Sequence, residues 1–458
     1  MQANTAFALA MAQEWMAGDL VWVRHRPKTP PNANRRQSMP TKHNHRRYRC
    51  AAVCVVRVAR RPLLRRPPIT AAPWQVLGHC SLLTLPAMLR RKVPRDLRLG
   101  LFIHLPFPST ELYRVIPNRR ELLEGMLGAD LIGFHSFSYS RHFLSACGRI
   151  LGLDADIAKV EYRRHATQIK IMPMGTDPEF WTRLLEMPAV QARLSELDKN
   201  FNGKQVILGV DRLDYIKGIP LKLLAFECFL ERNEELHGEV VLVQVAHPPM
   251  RVGLSALQEN REYTDLQAEL NELVGRINGR FSTVDWQPIY YINKWISANE
   301  LAALYRIADV AFFTSIREGI NVICYEMAAA QAPEVIGPLG GIVGGGPANS
   351  KQAVVIISEF SGGARSLGGA LHVNPWHAGQ VADTLLTAQQ MSGIERKLRH
   401  DAISLYVREH TSRLWALRLC TELQAIIPSD QAGSIRILPA LKSQASELYT
   451  ALGKSRTR

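Results

Sequence analysis

The chain has 458 residues, of which 47% are hydrophobic and 21% are charged, so it is long enough for two domains with buried cores. The sequence has no apolar run of about 18 residues, which a membrane-spanning helix would need. The first residues also lack the basic leader of a signal peptide. Its seven cysteines are scattered without CxxC or disulfide-like spacing, which favours a reducing, cytoplasmic location.

The formal net charge of +15 would ordinarily suggest a nucleic-acid or membrane partner. The charge is concentrated, however, in one segment. Residues 24–66 contain 14 Lys and Arg and no acidic residue, which leaves the rest of the chain near +1. Because aromatic residues are sparse among these charges, we expect neither a nucleic acid nor a membrane as a partner.

The first 80 residues divide into two parts. Residues 1–23 are predicted to form a helix followed by a short strand, LVWV. Residues 24–80 form a basic insert rich in Arg and Pro, and its like-charge repulsion and few apolar side chains predict disorder. We hypothesise that a retained intron, a frameshift or another gene-model error produced this insert.

From Leu97 onward, short β-branched runs alternate with longer amphipathic runs, which is the pattern of βαβ units and parallel sheets. The predicted fold class is therefore α/β, with two successive sheets separated near residues 175–200. A glycine-rich stretch at 332–351 lacks P-loop spacing, so we interpret it as a flexible surface insertion. The predicted strands are LRLGLFIH, DLIGFH, QIKIMPM, QVILGV, EVVLVQV, DVAFFT and AVVIIS.

The segment GVDRLDYIKGIP follows a predicted strand, and doubly wound domains bind ligands at the carboxyl ends of their strands. Arg212 could neutralise a diphosphate there through its planar fork, and Lys217 could do so as a point charge. Gly218 would let the backbone approach a ligand closely. An ordinary solvated basic turn fits the same spacing equally well, so both interpretations remain open.

The segment SIREGINVICYEMAAAQ follows the predicted strand DVAFFT and predicts a helix whose first amides could bind an anion. Glu318 and Glu326 are eight residues apart, slightly over two helical turns, so they could share one face. Glu326 could accept hydrogen bonds from vicinal ribose hydroxyls. The simpler alternative is a capped surface helix with two solvated acids.

A third segment, FIHLPFPSTELYR, places His104 at the end of a predicted strand, before a rigid turn set by Pro106 and Pro108. An imidazole held at this position could donate a hydrogen bond to a sugar hydroxyl. A purely structural role for His104 is the simpler alternative. We interpret His135 and Trp295 as core or rim packing.

Taken together, these segments resemble the trehalose-6-phosphate synthases, glycosyltransferase family 20. The resemblance extends over residues 1–23 and roughly 82–425. It is specific because it consists of a long and ordered series of blocks. The main blocks are GLFIHLPFPSTELYRVIPNRRELLEGMLGADLIGFH, MPMGTDPEFW, VILGVDRLDYIKGIP, NELVGRINGRF, IREGINVICYE, SEFSGGARSLGGALHVNPW and TSRLWALRLCTELQ.

The resemblance implies a GT-B architecture, in which two Rossmann-like domains face a cleft. It assigns the rest of the acceptor-side N-terminal domain to residues 81–185 and the nucleotide-sugar domain to residues 186–400. A helix crossing back is expected at 401–427, followed by a tail at 428–458. The N-terminal domain is expected to be incomplete, with residues 1–23 as a remnant of it.

The same resemblance implies roles for individual residues. Arg212 and Lys217 are expected to hold the diphosphate of UDP-glucose, and His104 to contact the donor glucose. Glu318 is expected in the catalytic set, and Arg251 on the phosphate of the acceptor. The remaining expected donor contacts are Ile296 near the uracil and the nucleotide-binding run Gly319, Ile320, Asn321, Val322, Ile323, Cys324, Tyr325 and Glu326.

The implied reaction transfers glucose from UDP-glucose to glucose 6-phosphate with retention, giving trehalose 6-phosphate. The two cations would stabilise the departing phosphate, so no enzyme base is expected. We expect no essential metal and no other cofactor, because no DxD-like pair is present at a plausible cleft position. The expected partners are the two substrates. A trehalose-phosphate phosphatase or other subunits of a synthase complex are candidate protein partners.

The sequence departs from the family pattern at identifiable positions. His79 occupies the position of an acceptor-contacting aspartate, and Glu318 occupies a position that is usually Asp. The family's N-terminal glycine loop has no counterpart in this sequence. The alternative function is therefore that of a catalytically impaired pseudoenzyme or a regulatory subunit of a trehalose synthase complex.

Overall fold

The computed structural model describes residues 20–21, 53–57, 74–79, 83–91, 98–201, 203–248, 256–332, 334–336, 342–345 and 351–426. All seven strands predicted from the sequence are present, with bounds that differ by a few residues. Within these ranges, no helix combines the length and the apolar character needed to cross a membrane.

The strands form two large sheets and one hairpin. The strands are β1 (Leu20–Val21), β2 (Val53–Arg57), β3 (Trp74–His79), β4 (Arg98–Ile103), β5 (Leu131–Phe134), β6 (Lys159–Tyr162), β7 (His165–Ile171), β8 (Gln205–Arg212), β9 (Val240–His247), β10 (Ile289–Ile292), β11 (Val310–Phe313), β12 (Glu334–Ile336), β13 (Ile342–Gly345), β14 (Val354–Ser358) and β15 (Leu371–Val373). The N-terminal sheet has the order β1-β2-β3-β4-β5-β7-β6, the C-terminal sheet has the order β10-β9-β8-β11-β14-β15, and β12 pairs with β13.

Helices connect the strands and cover the sheets. Several begin at a side-chain cap: Ser136, Asp177 and Thr411 each accept a hydrogen bond from a backbone amide three residues later. The α-helices are Leu85–Arg90, Thr110–Tyr113, Arg119–Met126, Phe137–Ala146, Pro178–Leu185, Pro188–Asn200, Ile219–Arg232, Ala256–Phe281, Ala298–Ile307, Val322–Gln331, Ala378–Gln390, Gly393–Glu409 and Ser412–Ala425. The shorter turns are the π-helical turn Cys147–Leu151 and the 3-10 turns Tyr215–Lys217, Glu234–Leu236 and Ala364–Ser366.

The N-terminal sheet contains two strands from the segment that we expected to be disordered. Residues 53–57 and 74–79 form β2 and β3, which pair antiparallel with each other, and β3 pairs parallel with β4. The prediction of disorder is therefore wrong for these two runs, whose β-branched and aromatic residues suit a pleated sheet. The rest of residues 24–80 lies outside the described residues, as does the helix predicted within 1–23.

The C-terminal sheet is parallel throughout. Its strands are continuous apolar runs, because helices cover a parallel sheet on both faces. All eight residues of β9 are buried, and so are all four of β11. The carboxyl ends of β8, β9 and β11 lie at one edge, which is where a ligand site is expected.

The N-terminal sheet has a different cover on each face. On one face, Leu101 and Phe134 pack with Phe143 of the helix Phe137–Ala146. On the opposite face, Phe102 packs with Trp415 of the helix Ser412–Ala425. The C-terminal helix therefore lies against the N-terminal sheet. The alternation of Leu101 and Phe102 follows from the two-residue period of a strand.

The boundary between the two domains lies earlier than the sequence predicted. The helix Pro178–Leu185 was assigned to the N-terminal domain, but Trp181 and Leu185 belong to the core of the C-terminal sheet. The Trp181 ring lies 5.1 Å from the ring of Tyr305. The helix therefore packs with the C-terminal domain, because burial of its apolar face against that core stabilises this arrangement.

The glycine-rich stretch at 332–351 also differs from our expectation of a flexible insertion. Two of its segments, β12 and β13, form an antiparallel pair with an irregularity between Val335 and Ile336. Glycine carries the same backbone donor and acceptor as other residues, so it can pair in such a ladder. The other residues between 337 and 350 lie outside the described ones.

A close backbone contact joins the start of the C-terminal helix to the end of the N-terminal domain. The Ser412 amide donates to the Thr176 carbonyl at 2.7 Å. A Cβ atom on Gly175 would lie 1.3 Å from the His410 carbonyl oxygen. Only glycine therefore permits the two backbones to approach this closely.

We expect Gly175→Ala to destabilise the protein by about 1–3 kcal/mol, because the new methyl group must push the backbone at His410 away. Thermal unfolding, together with proteolysis of the helix Ser412–Ala425, measures the effect. Gly275→Ala is the matched control, since Gly275 lies inside a helix and a Cβ added there would meet open space. If both variants unfold at the same temperature, the proposed close contact does not matter for stability.

Candidate active site

Two cations lie at the carboxyl end of β8 and in the turn that follows it. Arg212 ends β8 with about half of its side chain exposed, and it forms an ion pair with Asp214. Lys217 ends the 3-10 turn Tyr215–Lys217, and its side chain is 14% exposed. Gly218 follows with a φ of 63°, and a Cβ there would lie 2.2 Å from the carbonyl oxygen of Thr314. This glycine lets the turn pack directly against the loop after β11.

Lys217 forms an ion pair with Glu318, which lies in the loop after β11. The Glu318 carboxylate also accepts from the Ser315 hydroxyl at 2.8 Å and from the Asn321 amide at 3.0 Å. Burial lowers the pKa of Lys217, but the negative charges of Glu318 and Asp211 outweigh it, so the pKa is raised. The Lys217 ammonium is therefore held in place and charged at neutral pH.

Glu318 and Glu326 do not share a helix face, which corrects our expectation. The helix begins only at Val322, because Asn321 caps it by accepting from the Ile323 amide at 3.1 Å. Glu318 therefore lies in the preceding loop. The cap also occupies one of the backbone amides that we expected to face an anion.

Glu326 is buried within the C-terminal domain. The residue is 2% exposed, and its carboxyl group accepts a hydrogen bond from the Tyr305 hydroxyl at 2.8 Å. Burial raises the pKa of Glu326 from the ordinary 4.5 to about 8, although the hydrogen bond from Tyr305 acts in the opposite direction. The expected contact of Glu326 with a ribose remains a prediction.

This raised pKa predicts a pH dependence of stability. A carboxyl group whose pKa is higher in the folded state stabilises the fold below about pH 4.5 and loses that contribution as the pH rises through about 8. Glu326→Gln stays neutral and keeps an acceptor for Tyr305. We expect the variant to match the parent near pH 4 and to exceed its unfolding free energy near pH 8, as measured with denaturant. Equal differences at the two pH values would contradict the assignment.

A buried ion pair lies beneath the cationic turn. Lys222 and Asp211 are both fully buried, and Lys222 Nζ lies 2.6 Å from Asp211 Oδ2. The Gln244 amide donates to the same oxygen at 3.1 Å. A Cβ on Gly209 would lie 2.7 Å from Lys222 Nζ, so glycine is required at this position of β8. Sequence reasoning missed this pair, although a Lys inside an apolar helix face was a visible signal.

His104 follows β4 on the opposite domain and contacts a second histidine. Its Nδ1 lies 3.2 Å from Nε2 of His135, and His135 Nδ1 accepts from the Met174 amide at 3.3 Å. The His104 ring also lies 5.9 Å from the Trp415 ring. His135 is therefore a neighbour of a predicted site residue and has a specific polar contact, beyond the core packing that we expected.

The two domains meet at the loop that contains Glu318. The Tyr139 hydroxyl donates to the Glu318 carbonyl at 3.0 Å, and the Gly362 amide donates to the same oxygen at 2.9 Å. A Cβ on Gly319 would lie 1.8 Å from the His104 carbonyl oxygen. These contacts bring His104, Lys217 and Glu318 to one junction between the domains.

The sequence of this chain matches a known protein family over most of its length. The sequence model of glycosyltransferase family 20 matches residues 79–425, well over half of the chain. The chain belongs to this family. An alpha,alpha-trehalose-phosphate synthase (UDP-forming) of Schizosaccharomyces pombe is 40% identical over 372 residues, which cover 81% of this chain and 68% of that protein. Across three fungal relatives, the matched region is 63% to 68% of their length, about two thirds.

Solved structures of the same family are similar in fold. An E. coli structure described as bound with UDP-2-fluoro glucose has a TM-score of 0.69 and 28% identity, covering 77% of this chain and 74% of that chain. A Burkholderia xenovorans alpha,alpha-trehalose-phosphate synthase (UDP-forming) in complex with glucose-6-phosphate has a TM-score of 0.67 and 30% identity, covering 76% and 72%. The chain therefore has the expected GT-B architecture with two Rossmann-like domains.

Ile296 lies at the same edge of the C-terminal sheet as the two cations. Ile296 is half-buried in the loop after β10, next to Trp295. Trp295 stacks on His247 with 4.9 Å between the ring centroids, and His247 lies beside Arg212 in the sheet register. Ile296 is thus placed near the cationic turn. Arg251 lies outside the described residues, so its role remains a prediction.

The run from Gly319 to Glu326 crosses from the domain junction into the C-terminal core. Gly319 lies at the junction, against the His104 carbonyl, whereas the Cys324 and Tyr325 side chains are fully buried. Burial raises the pKa of the Cys324 thiol, so this group is neutral. The expected nucleotide contacts of Ile320, Val322 and Ile323 remain predictions. His79 ends β3, beside Phe102 of β4 in the register.

Proposed function

We propose that this chain transfers glucose from UDP-glucose to glucose 6-phosphate with retention of configuration, giving trehalose 6-phosphate. The main support is the pair of cations, Arg212 and Lys217, at the carboxyl end of β8 in a chain of glycosyltransferase family 20. Several relatives that match most of this chain are named as UDP-forming trehalose-phosphate synthases. Those names give no support to the alternative of a pseudoenzyme or regulatory subunit.

In this proposal, the two cations bind the diphosphate of UDP-glucose. Breaking the half-exposed ion pair between Arg212 and Asp214 costs little free energy, since exposed ion pairs contribute about 0–1 kcal/mol to stability. Arg212 can therefore turn from Asp214 to a phosphate oxygen, which it binds through its planar fork. Lys217 is held by Glu318 and needs less reorientation, so its charge is positioned before the donor arrives.

The proposed chemistry needs no protein base. The acceptor hydroxyl attacks the anomeric carbon from the same face that the UDP leaves, and the departing phosphate accepts its proton. The positive charges of Arg212 and Lys217 stabilise the negative charge that develops on that phosphate. His104 would orient the donor glucose by a hydrogen bond to one of its hydroxyls.

The proposal also includes the acceptor, a protein partner and the cellular location. The B. xenovorans relative is described in complex with glucose-6-phosphate, and Arg251 is our candidate for the phosphate contact. The product is a phosphate monoester, so a trehalose-phosphate phosphatase is the protein partner that its chemistry favours. The free thiols of Cys147, Cys228 and Cys324 suit a reducing cytoplasm, which we propose as the location.

We expect neutralisation of the cations to reduce transfer strongly. Arg212→Met and Lys217→Met should each lower kcat/KM for UDP-glucose about 100-fold, the usual loss when one charge-stabilising group is removed. Trehalose 6-phosphate formation and UDP release measure the rate. Lys217→Met leaves Glu318 without its cation, so Lys217→Met combined with Glu318→Gln keeps the test valid if the single variant is unstable.

Arg232→Met is the matched control for these variants. Arg232 is an exposed Arg that pairs with Asp383 at 2.9 Å, on a helix surface away from the junction. It should retain the parent rate. Unchanged UDP-glucose affinity in both site variants would refute the proposed diphosphate site. Donor binding without product formation in the parent chain would favour the regulatory alternative.

We further propose that transfer needs no divalent metal, because Arg212 and Lys217 supply the positive charge at the leaving phosphate. The purified chain, dialysed against EDTA and assayed in EDTA, should keep its rate within about twofold of an untreated sample. Added Mg²⁺ or Mn²⁺ should not raise that rate. A loss of activity that either metal restores would overturn this expectation.

A further inference from the structure

His135 is a buried histidine that makes one hydrogen bond with the backbone and one with a side chain. It ends the DLIGFH segment after β5, and its side chain lies in the N-terminal domain at 5% exposure. Its Nδ1 lies 3.3 Å from the amide nitrogen of Met174, and its Nε2 lies 3.2 Å from Nδ1 of His104. The Met174 amide, the His135 ring and the His104 ring are therefore connected by two successive hydrogen bonds.

The direction of the hydrogen bonds follows from the chemistry of the groups. A backbone N–H can only donate, so His135 Nδ1 must be the acceptor and carries no proton. The proton of a neutral His135 is then on Nε2, which donates to His104 Nδ1. Burial lowers the pKa of His135 to about 3, so the ring is neutral at physiological pH.

The same reasoning extends to His104. Because its Nδ1 accepts from His135, a neutral His104 carries its proton on Nε2. We propose that His135 is a positioning residue that fixes His104 in the tautomer protonated at Nε2, so that His104 is a hydrogen-bond donor to the sugar of the donor substrate. The backbone amide of Met174 sets this orientation.

The packing around the pair supports a fixed geometry. The Phe102 ring lies 4.6 Å from the ring of His104 and 5.1 Å from that of His135. The Trp415 ring lies 5.9 Å from the ring of His104. The Gly319 backbone lies against the His104 carbonyl, which links this pair to the loop that holds Lys217. The inference rests on the proposed function, since that function assigns the sugar to His104.

The first test measures the tautomer directly, without any substrate. Imidazole ¹⁵N shifts of His104, assigned by comparison with His104→Ala, should show an unprotonated Nδ1 and a protonated Nε2 in the full-length chain. The variant His135→Leu should shift His104 toward a mixture of tautomers. A protonated Nδ1 in the parent chain overturns the inference, whether or not the chain binds UDP-glucose.

The second test uses rescue and a double-mutant cycle. Gln has both a donor and an acceptor, so His135→Gln should keep kcat/KM for UDP-glucose within about threefold of the parent. His135→Leu should lower it about tenfold, the usual worth of one hydrogen bond, with KM for glucose 6-phosphate unchanged. In a His104→Ala background, His135→Leu should cause no further loss.

A matched control separates positioning from simple destabilisation. His400 is also buried and neutral, since burial lowers its pKa to about 4, and it lies on the helix Gly393–Glu409. His400→Leu should lower the unfolding temperature but leave kcat/KM for UDP-glucose at the parent value. Equal kinetic losses for His135→Leu and His135→Gln, or an additive loss with His104→Ala, would overturn the inference. Absence of UDP-glucose binding in the parent chain would instead refute the proposed function and leave the tautomer result standing.

Discussion

The ion pair between Lys217 and Glu318 is the contact on which the geometry of the site depends. It joins the turn after β8 to the loop after β11, two strands that are neighbours in the C-terminal sheet. Gly218 brings the backbones together, and Ser315 orients the carboxylate. Because Lys217 is mostly buried, its charge would be costly without Glu318. The pair thus keeps one cation in place where the strands end.

The same loop also joins the two domains. The Glu318 carbonyl accepts from Tyr139 of the N-terminal domain, and Gly319 packs against the carbonyl of His104. The Trp415 ring of the helix Ser412–Ala425 lies 5.9 Å from the His104 ring, so His104 contacts both that helix and the loop after β11. The sugar-facing and phosphate-facing parts of the proposed site are therefore coupled through one backbone segment. A change in that segment should affect how both the glucose and the diphosphate of UDP-glucose are held.

Several features of this arrangement were predictable, and others were not. The strands ending at Arg212 and Phe313 were visible as apolar runs. The candidate site residues were predicted because their segments directly follow these strands in the sequence. The sequence predicted disorder in residues 53–57 and 74–79, where pairing with β4 gives strands instead. It also placed the helix Pro178–Leu185 in the wrong domain, since an apolar helix face does not specify which core it joins.

The sequence by itself determined the α/β class, the seven main strands and the family, because these depend on local periodicity and on an ordered series of motifs. Only the tertiary structure decided the partners of the site residues. It paired Lys217 with Glu318, separated Glu318 from Glu326 at the Asn321 cap, and placed His135 against His104. Contacts between residues distant in the chain are set by packing and by burial of charge, and neither is encoded in spacing alone.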